Sequence, residues 1–333
     1  MQKINLKIFD NPIAHITKMQ NDTQYRKEIE KELYSGMPSE ILAKFDKAVA
    51  QNLQNKFALV GEIKKLDFSK NEKLNQIQSQ AINLAQNYTS AFLSAYDENL
   101  ATMGGRYICS DSFKEIFPSF RNKKDRALAN DAVHNSSAVL GATQFEKVLK
   151  QNKNGKTKAI FITGIPGAGK TTFVKALNSD EIALIFEGQM ANPVSVIPKI
   201  EQCLDKNLEV IIVVVHIEPE FALENTFRRF NAYGRGGSLE VMSSIQGNLS
   251  EGLKKLKAHF GEKITLICVN RNENNQILTN ENEIFSTINI GTKDEIFARL
   301  RVKLDADFAS GKIDEACFNQ ADKTRLNSIM DKK

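Results

Sequence analysis

Residues 159–171 read Ala-Ile-Phe-Ile-Thr-Gly-Ile-Pro-Gly-Ala-Gly-Lys-Thr, an apolar run that leads into a glycine-rich loop. The last eight residues match the pattern G-x-x-x-x-G-K-[ST] in full. Glycines permit backbone angles that a Cβ forbids, so successive N–H groups can turn inward onto phosphate oxygens. The stretch therefore predicts a strand, a phosphate-binding loop and a helix over 171–177. The competing interpretation is a glycine-rich turn that happens to hold a lysine.

The loop predicts a site for a nucleoside triphosphate and Mg²⁺. We expect Lys170 to reach the β and γ phosphates and the Thr171 hydroxyl to bind Mg²⁺. The positive end of the following helix would point at the nucleotide. The residues expected around the nucleotide are Gly164, Ile165, Pro166, Gly167, Ala168, Gly169, Lys170, Thr171 and Thr172.

Amino-acid composition, charge and cysteine spacing limit the classes to which the protein can belong. The chain has 333 residues, 41% of them hydrophobic and 26% charged, which is ordinary for a globular protein large enough for two domains. The net charge of +5 is spread along the chain, so no nucleic-acid partner is required. The four cysteines lack C-x-x-C spacing, which favours reduced thiols over disulfides or zinc. No apolar stretch reaches membrane-spanning length and no signal segment is evident, so we expect a cytoplasmic protein without membrane contact.

The chain changes character near residue 103. Before it, the sequence is polar and helical, with a helix starting at Ser39 and an apolar stripe at 74, 77, 81, 84, 88, 91 and 95 that predicts one amphipathic helix. Beyond it, apolar segments alternate with helical ones. We therefore predict a helical N-terminal region over 1–102 and a P-loop kinase-like domain over 103–333 with a helical C-terminal end.

Short apolar segments predict strands at 107–109, 159–162, 182–186, 210–215 and 264–269. The unbroken run Val-Ile-Ile-Val-Val-Val at 210–215 is typical of a strand buried on both faces, as in a parallel sheet. Pro198 and Pro219 suit the first turns of helices, and 292–295 is a capping-box sequence. We predict an α/β fold in which helices flank a parallel sheet, with a helical N-terminal extension.

Two acidic residues follow predicted strands. Asp111 comes after 107–109, at the carboxyl end of a strand, where parallel sheets bind ligands. Its carboxylate could orient and deprotonate an acceptor hydroxyl, and the alternative is a helix N-cap. Glu187 ends the strand 182–186 and is a candidate substrate ligand, with a plain loop acid as the alternative.

Two arginines flank a glycine-rich turn. Arg229 precedes Phe230, and Arg235 lies within the sequence Gly-Arg-Gly-Gly at 234–237. A glycine-hinged loop of this kind suits a lid whose arginines neutralise charge on a transferred phosphoryl group. Solvated surface arginines are the alternative.

These segments together resemble the zeta-type toxins of bacterial epsilon/zeta toxin–antitoxin systems. The resemblance rests on the phosphate loop, Asp-Ser-Phe-Lys at 111–114, Ile-Phe-Glu-Gly at 185–188, and Arg-Arg-Phe followed by Gly-Arg, and it covers roughly 104–275. It implies a fold like that of small phosphoryl-transfer kinases and phosphorylation of UDP-N-acetylglucosamine on a sugar hydroxyl with ATP and Mg²⁺, which starves cell-wall synthesis. It also implies a small helical antitoxin that obstructs the ATP site.

The resemblance assigns roles to individual residues. It implies that Asp111 is the base for the sugar hydroxyl and that Glu187 lies at the sugar nucleotide. Arg229 and Arg235 match the two phosphate-contacting arginines of the family, with Arg229 also at the substrate, and Lys170 matches its loop lysine.

The order of the segments departs from the family. There the Asp-bearing strand follows the phosphate-loop helix, whereas here Asp111 precedes Gly164 by 53 residues. We interpret this as a circular permutation of one strand–helix unit, which is plausible for a strand at the edge of a sheet. Two other hypotheses are a kinase with a nucleotide or dinucleotide acceptor and a non-catalytic nucleotide-dependent switch. The role of Asp111 distinguishes a kinase from a switch, because a kinase needs an acceptor base and a switch does not.

Overall fold

The structure is a computed structural model that describes residues 6–53, 57–152, 155–178 and 180–322. These residues form the following α-helices: α1 (Asp10–Asn21), α2 (Thr23–Tyr34), α3 (Ser39–Ala50), α4 (Glu72–Asn87), α5 (Thr89–Glu98), α6 (Ser110–Lys114), α7 (Lys123–Gln151), α8 (Lys170–Lys175), α9 (Ile197–Asp205), α10 (Pro219–Tyr233), α11 (Leu239–Phe260), α12 (Glu281–Ile288), α13 (Lys293–Ala309) and α14 (Glu315–Ala321). They also form the strands β1 (Tyr107–Ile108), β2 (Lys158–Thr163), β3 (Ile182–Glu187), β4 (Glu209–His216), β5 (Ile264–Asn270) and β6 (Gln276–Leu278).

The fold is mixed α/β, with a six-stranded and mostly parallel sheet flanked by helices. Strand β4 pairs in parallel with β2 and with β5, and β1 pairs in parallel with β3. Only the short β6 pairs antiparallel, with β5, among the pairings of the described residues. Five helices, α1 to α5, precede the first strand. The predicted fold class is therefore confirmed.

The chain divides into two compact units. Unit 1 contains Met1–Ile29, Thr157–Ser179 and Gly188–Lys333, and unit 2 contains Glu30–Lys156 and Asp180–Glu187. These units cut the chain at different places from the boundary at residue 102. The division into domains at 1–102 and 103–333 stays a prediction.

The core of unit 1 is the parallel ladder of β2, β4 and β5. Every residue of β4 after Glu209 is buried, and the register places Ile160 beside Ile211 and Val213 beside Ile267. Helix α11 packs against α13 and α10 in the same unit. Burial of β4 on both faces is what its unbroken apolar sequence predicts.

The core of unit 2 is helical and aromatic. The rings of Phe45 and Phe117 each lie 4.6 Å from the ring of Phe92, which joins α3, α5 and the segment after α6. Helix α7 packs against β3, where Phe145 contacts Phe186 at a centroid distance of 5.7 Å. These contacts fix the carboxyl end of β3 within the unit.

All five predicted strands are present, but two predicted helices differ from those observed. The stripe from Leu74 to Ala95 lies on two helices, because α4 ends before Tyr88, whose φ of −126° and ψ of 31° break the helix. The helix after the phosphate loop ends at Lys175 rather than Leu177. There the N–H groups of Ala176 and Leu177 bond to carbonyls three residues back, which tightens the last turn.

The three predicted helix starts are confirmed. Pro198 and Pro219 lie in the first turns of α9 and α10, and Thr292 and Glu295 form a capping box at the start of α13. None of the four cysteines forms a disulfide and all are buried. Burial raises the pKa of the Cys203 and Cys268 thiols to about 12, so these two thiols stay protonated. No described helix is long and apolar enough to cross a membrane.

Candidate functional site

The phosphate loop in unit 1 depends on glycine at close contacts. Gly164 and Gly167 have φ angles of 143° and 84°, a region that residues with a Cβ rarely adopt. A Cβ at Gly164 would lie 2.4 Å from the carbonyl oxygen of Val215, and one at Gly167 would lie 2.2 Å from that of Ala222. The loop is therefore packed against the end of β4 and the start of α10, with no room for side chains at these two positions.

Lys170 lies at the loop itself. Its ammonium group donates hydrogen bonds to the carbonyls of Gly164 at 2.8 Å and Ile165 at 3.1 Å. Helix α8, which begins at Lys170, has only six residues, so few aligned peptide dipoles point at the loop. The predicted anion site would therefore depend on the loop N–H groups and the lysine more than on the helix.

Thr171, in the first turn of α8, is the residue predicted to bind Mg²⁺. A hydroxyl is a hard oxygen donor that suits this ion, and Mg²⁺ usually keeps several waters and takes few protein ligands besides phosphates. In the described part of the chain, no group of three or more His, Cys, Asp and Glu side chains could hold a metal. The donor chemistry thus fits an ion held mainly by nucleotide phosphates and water, with Thr171 as a protein ligand.

Helix α10 and the loop after it contact the phosphate loop on either side of the two predicted arginines in the sequence. The side-chain amide of Asn225 donates to the carbonyl of Gly167 at 2.8 Å. A Cβ at Gly237 would lie 3.1 Å from Pro166 Cβ, so the loop after α10 returns to the phosphate loop. Arg229 and Arg235 lie between these anchors, both half-buried, and the N–H of Arg235 points to the Arg229 carbonyl at 3.4 Å. The roles of Arg229 and Arg235 stay predictions.

Arg271 is a phosphate-loop contact that the sequence analysis missed. Its Nη1 donates to the carbonyl of Ala168 at 2.7 Å, and its backbone N–H donates to the His216 carbonyl at 2.8 Å. Arg271 follows β5 directly. A basic residue at the carboxyl end of a buried parallel strand, where such sheets bind ligands, was the available signal.

His216 ends β4, next to the strand that leads into the loop. Its side chain is buried, and burial lowers the pKa of its imidazole while the nearby Glu218 carboxylate opposes the shift. Within the described residues, Nδ1 of His216 has no hydrogen-bond partner. The imidazole is therefore neutral at pH 7 and adds no charge at this strand end.

In unit 2, Asp111 lies in the first turn of α6 and is not its N-cap. Cys109 occupies the cap position, where no side chain caps the helix. The Asp111 carboxylate pairs with Lys114 Nζ at 2.9 Å, and this lysine, 4% exposed, also donates to Asn130 Oδ1 at 2.9 Å. Asp111 itself is 46% exposed. A buried cation thus orients a carboxylate that remains accessible.

A buried tyrosine fixes the end of β1, just before Asp111. The Tyr96 hydroxyl donates to the carbonyl of Tyr107 at 2.7 Å and accepts from the Cys109 N–H at 2.9 Å. Its ring stacks on Phe113 with centroids 3.8 Å apart, and burial raises the pKa of its hydroxyl well above the usual value. Because β1 is an edge strand, this neutral phenol satisfies groups that a neighbouring strand would otherwise bond.

Glu187 is the last residue of β3, so the structure places it in a strand and not in a loop. The Tyr107 hydroxyl donates a short hydrogen bond to Glu187 Oε2. The register of the two parallel strands places Ile108 beside Phe186, so Asp111 and Glu187 follow neighbouring strands at the same edge of the sheet. The sequence analysis selected both carboxylates but missed their partners, Lys114 and Tyr107.

Comparison with solved structures gives a weak likeness. No family model matches the sequence, and no curated protein matches it. One matching solved structure comes from the molecular and structural characterization of the PezAT chromosomal toxin–antitoxin system of Streptococcus pneumoniae. It is 12% identical, the match covers 80% of this chain and 98% of that chain, and the TM-score is 0.37. A likeness at this level does not assign a family.

Proposed function

We propose that this chain is an ATP-dependent phosphotransferase of the zeta-toxin type. Its substrate would be UDP-N-acetylglucosamine or a related UDP-sugar, and phosphorylation of that precursor would block cell-wall synthesis. One observation carries the proposal. The carboxylates of Asp111 and Glu187, far apart in sequence, follow two paired parallel strands, as an acceptor site in this resemblance requires.

The residues divide into donor and acceptor roles. Asp111 accepts the proton of the sugar hydroxyl, whose oxygen attacks the γ phosphorus while the bond to the ADP oxygen breaks. Glu187 binds the sugar nucleotide. Thr171 would be the protein ligand of Mg²⁺, an ion that would supply positive charge next to the phosphate oxygens. Lys170, Arg229 and Arg235 stabilise the charge of the transferred group.

The pairing of Asp111 with Lys114 is compatible with this role. Phosphoryl transfer passes through a loose transition state, so orientation of the hydroxyl matters more than the strength of the base. The ion pair with Lys114 Nζ at 2.9 Å fixes the direction of the carboxylate.

We also propose that the segment carrying Asp111 is circularly permuted relative to the family. Two observations support this. Strand β1 lies at the edge of the sheet and pairs in parallel with the Glu187 strand, β3. An edge strand can enter from a different place in the chain without crossing buried connections.

A transfer assay tests the function. Purified chain is incubated with ATP, Mg²⁺ and separate UDP-sugars, nucleotides and dinucleotides, and each product is examined by mass spectrometry for one added phosphate. We expect addition to a UDP-sugar. Transfer to a nucleotide or dinucleotide alone would favour the kinase with another acceptor, and ATP binding without any transfer would favour the switch.

Expression tests the toxin assignment and its partner. We expect the intact chain to slow bacterial growth, and growth to recover when a small helical antitoxin is co-expressed. A cell that grows normally with abundant, catalytically active chain contradicts the toxin role while leaving the transferase role intact.

A further inference from the structure

Tyr107 and Glu187 share one face of the β1–β3 ladder. The register places Tyr107 beside Ile185, and strand side chains alternate, so Ile185 and Glu187 point to the same side. To reach Glu187, a side chain at position 107 must extend forward by two residues, about 6.6 Å along the strand. A tyrosine is long enough to do so, and its hydroxyl does donate to Glu187 Oε2.

The chemistry of this contact favours orientation of the carboxylate. An ionised carboxylate only accepts hydrogen bonds, and a bond from a neutral donor to it is charge-assisted. Tyr107 is 1% exposed, so bulk water does not compete for its hydroxyl. A glutamate held in one rotamer before substrate arrives loses less conformational entropy on binding.

The tyrosine is itself held in place. Its carbonyl accepts a hydrogen bond from the Tyr96 hydroxyl at 2.7 Å, and its strand is paired with β3. Next to Glu187, the ring of Phe186 packs edge-on against Phe145 of α7. The backbone that carries the Tyr107 hydroxyl and the Glu187 carboxylate is thus held by strand pairing and by contacts with neighbouring side chains.

We propose that the Tyr107 hydroxyl is a positioning group that sets the affinity of this site for its acceptor, acting through the carboxylate of Glu187. The inference rests on the proposed function, in which Glu187 binds the sugar nucleotide. It assigns to the acceptor subsite a buried phenol that contributes to substrate affinity without touching the substrate.

The Tyr107→Phe variant removes only the hydroxyl. We expect the KM for the UDP-sugar to rise about tenfold, with kcat within threefold and the KM for ATP unchanged, because a misplaced Glu187 weakens binding of the acceptor alone. An unchanged acceptor KM would overturn the proposal. So would an equal rise in both KM values, or loss of the folded state, since each indicates a purely structural role.

A double-mutant cycle tests whether the effect passes through Glu187. In the Glu187→Ala background, Tyr107→Phe should change kcat/KM for the acceptor less than twofold, whereas an equal tenfold loss in both backgrounds would overturn the proposal. Tyr88→Phe is the matched control, because it removes a phenol hydrogen bond to Asn52 in the same unit and should leave kinetics unchanged.

The same series separates this inference from the proposed function. If the unmodified chain phosphorylates no UDP-sugar, the proposed function fails and the role of Tyr107 fails with it. If the unmodified chain does so and Tyr107→Phe matches it in every constant, only the role of Tyr107 fails.

Discussion

The two units hold their candidate residues in different ways. In unit 1, the candidate residues lie on one contiguous loop, whose shape depends on carbonyls of Val215 and Ala222 that leave no space for a Cβ. In unit 2, two carboxylates from distant segments are each oriented by a buried side chain, Lys114 for Asp111 and Tyr107 for Glu187. The loop of unit 1 is therefore sensitive to added volume, and the carboxylates of unit 2 are sensitive to the loss of single polar groups.

The largest effect is expected at the loop lysine. Lys170→Ala removes an ammonium group that donates hydrogen bonds to the loop carbonyls of Gly164 and Ile165. We expect kcat to fall about 10³-fold, the scale of losing one key electrostatic group in such chemistry. Initial rates with ATP and the acceptor measure this. Lys199→Ala is the control, because that lysine lies in α9 and its ammonium group donates to the Ser195 carbonyl rather than to the loop. A Lys170→Ala rate within tenfold of the unmodified chain would contradict a catalytic loop.

The next effect is expected at the carboxylate of unit 2. Asp111→Asn keeps the shape of the side chain but removes its charge, and we expect kcat to fall about 10²-fold. Lys114 keeps its bond to Asn130, so the variant should fold, as circular dichroism would show. Asp125→Asn, in the first turn of α7, is the control. Near-full activity of Asp111→Asn would show that Asp111 is not the acceptor base and would contradict the permuted-site assignment.

A measurement of protein stability tests the steric constraint on the loop of unit 1. Gly167→Ala forces a Cβ to within 2.2 Å of a backbone oxygen at a φ of 84°, and we expect unfolding free energy to fall by about 3 kcal/mol. Gly311→Ala has a φ of 73° but no atom within 4 Å of the added Cβ, so we expect a loss of about 1 kcal/mol. Denaturant unfolding of both variants gives the difference. Equal losses of unfolding free energy in the two variants would mean that the positive φ angle, and not close packing, accounts for the need for glycine at position 167.

The smallest effect concerns pH. Burial lowers the pKa of His216 below its unfolded value of 6.5, so the unfolded chain binds the proton more readily. The stability contributed by the neutral imidazole is complete above pH 6.5 and is lost as pH falls below that value. Between pH 7.5 and 5.5 we expect the unfolding free energy to drop more for the unmodified chain than for His216→Gln. Parallel pH profiles of the two proteins would contradict this.

Local patterns predicted most of the secondary structure. Apolar runs such as 210–215 predicted strands because a continuous apolar segment indicates burial on both faces. The capping-box sequence that begins at Thr292 predicted the start of a helix. The break at Tyr88 was missed because the apolar stripe continues through it, on two helices instead of one. Strand β6 was missed because its three residues are extended by their pairing with β5, which no local pattern encodes.

The candidate site likewise has features that local sequence predicts and contacts that it does not. The phosphate loop was predictable because its glycines, lysine and threonine are neighbours in sequence. The contacts of Arg271 with Ala168 and of Tyr107 with Glu187 join residues 103 and 80 positions apart. Nothing local to Arg271 or Tyr107 specifies its partner.

The sequence by itself determined a glycine-rich loop between a strand and a helix, a mostly parallel α/β sheet, and acidic residues at the ends of two strands, because each of these features is specified by residues that are adjacent in the chain. Only the tertiary structure decided that β1 pairs with β3, that Lys114 and Tyr107 hold the two carboxylates, and that α10 packs against Gly167. Those contacts follow from strand register and packing, which depend on residues distant in the chain and are therefore fixed only when the chain folds.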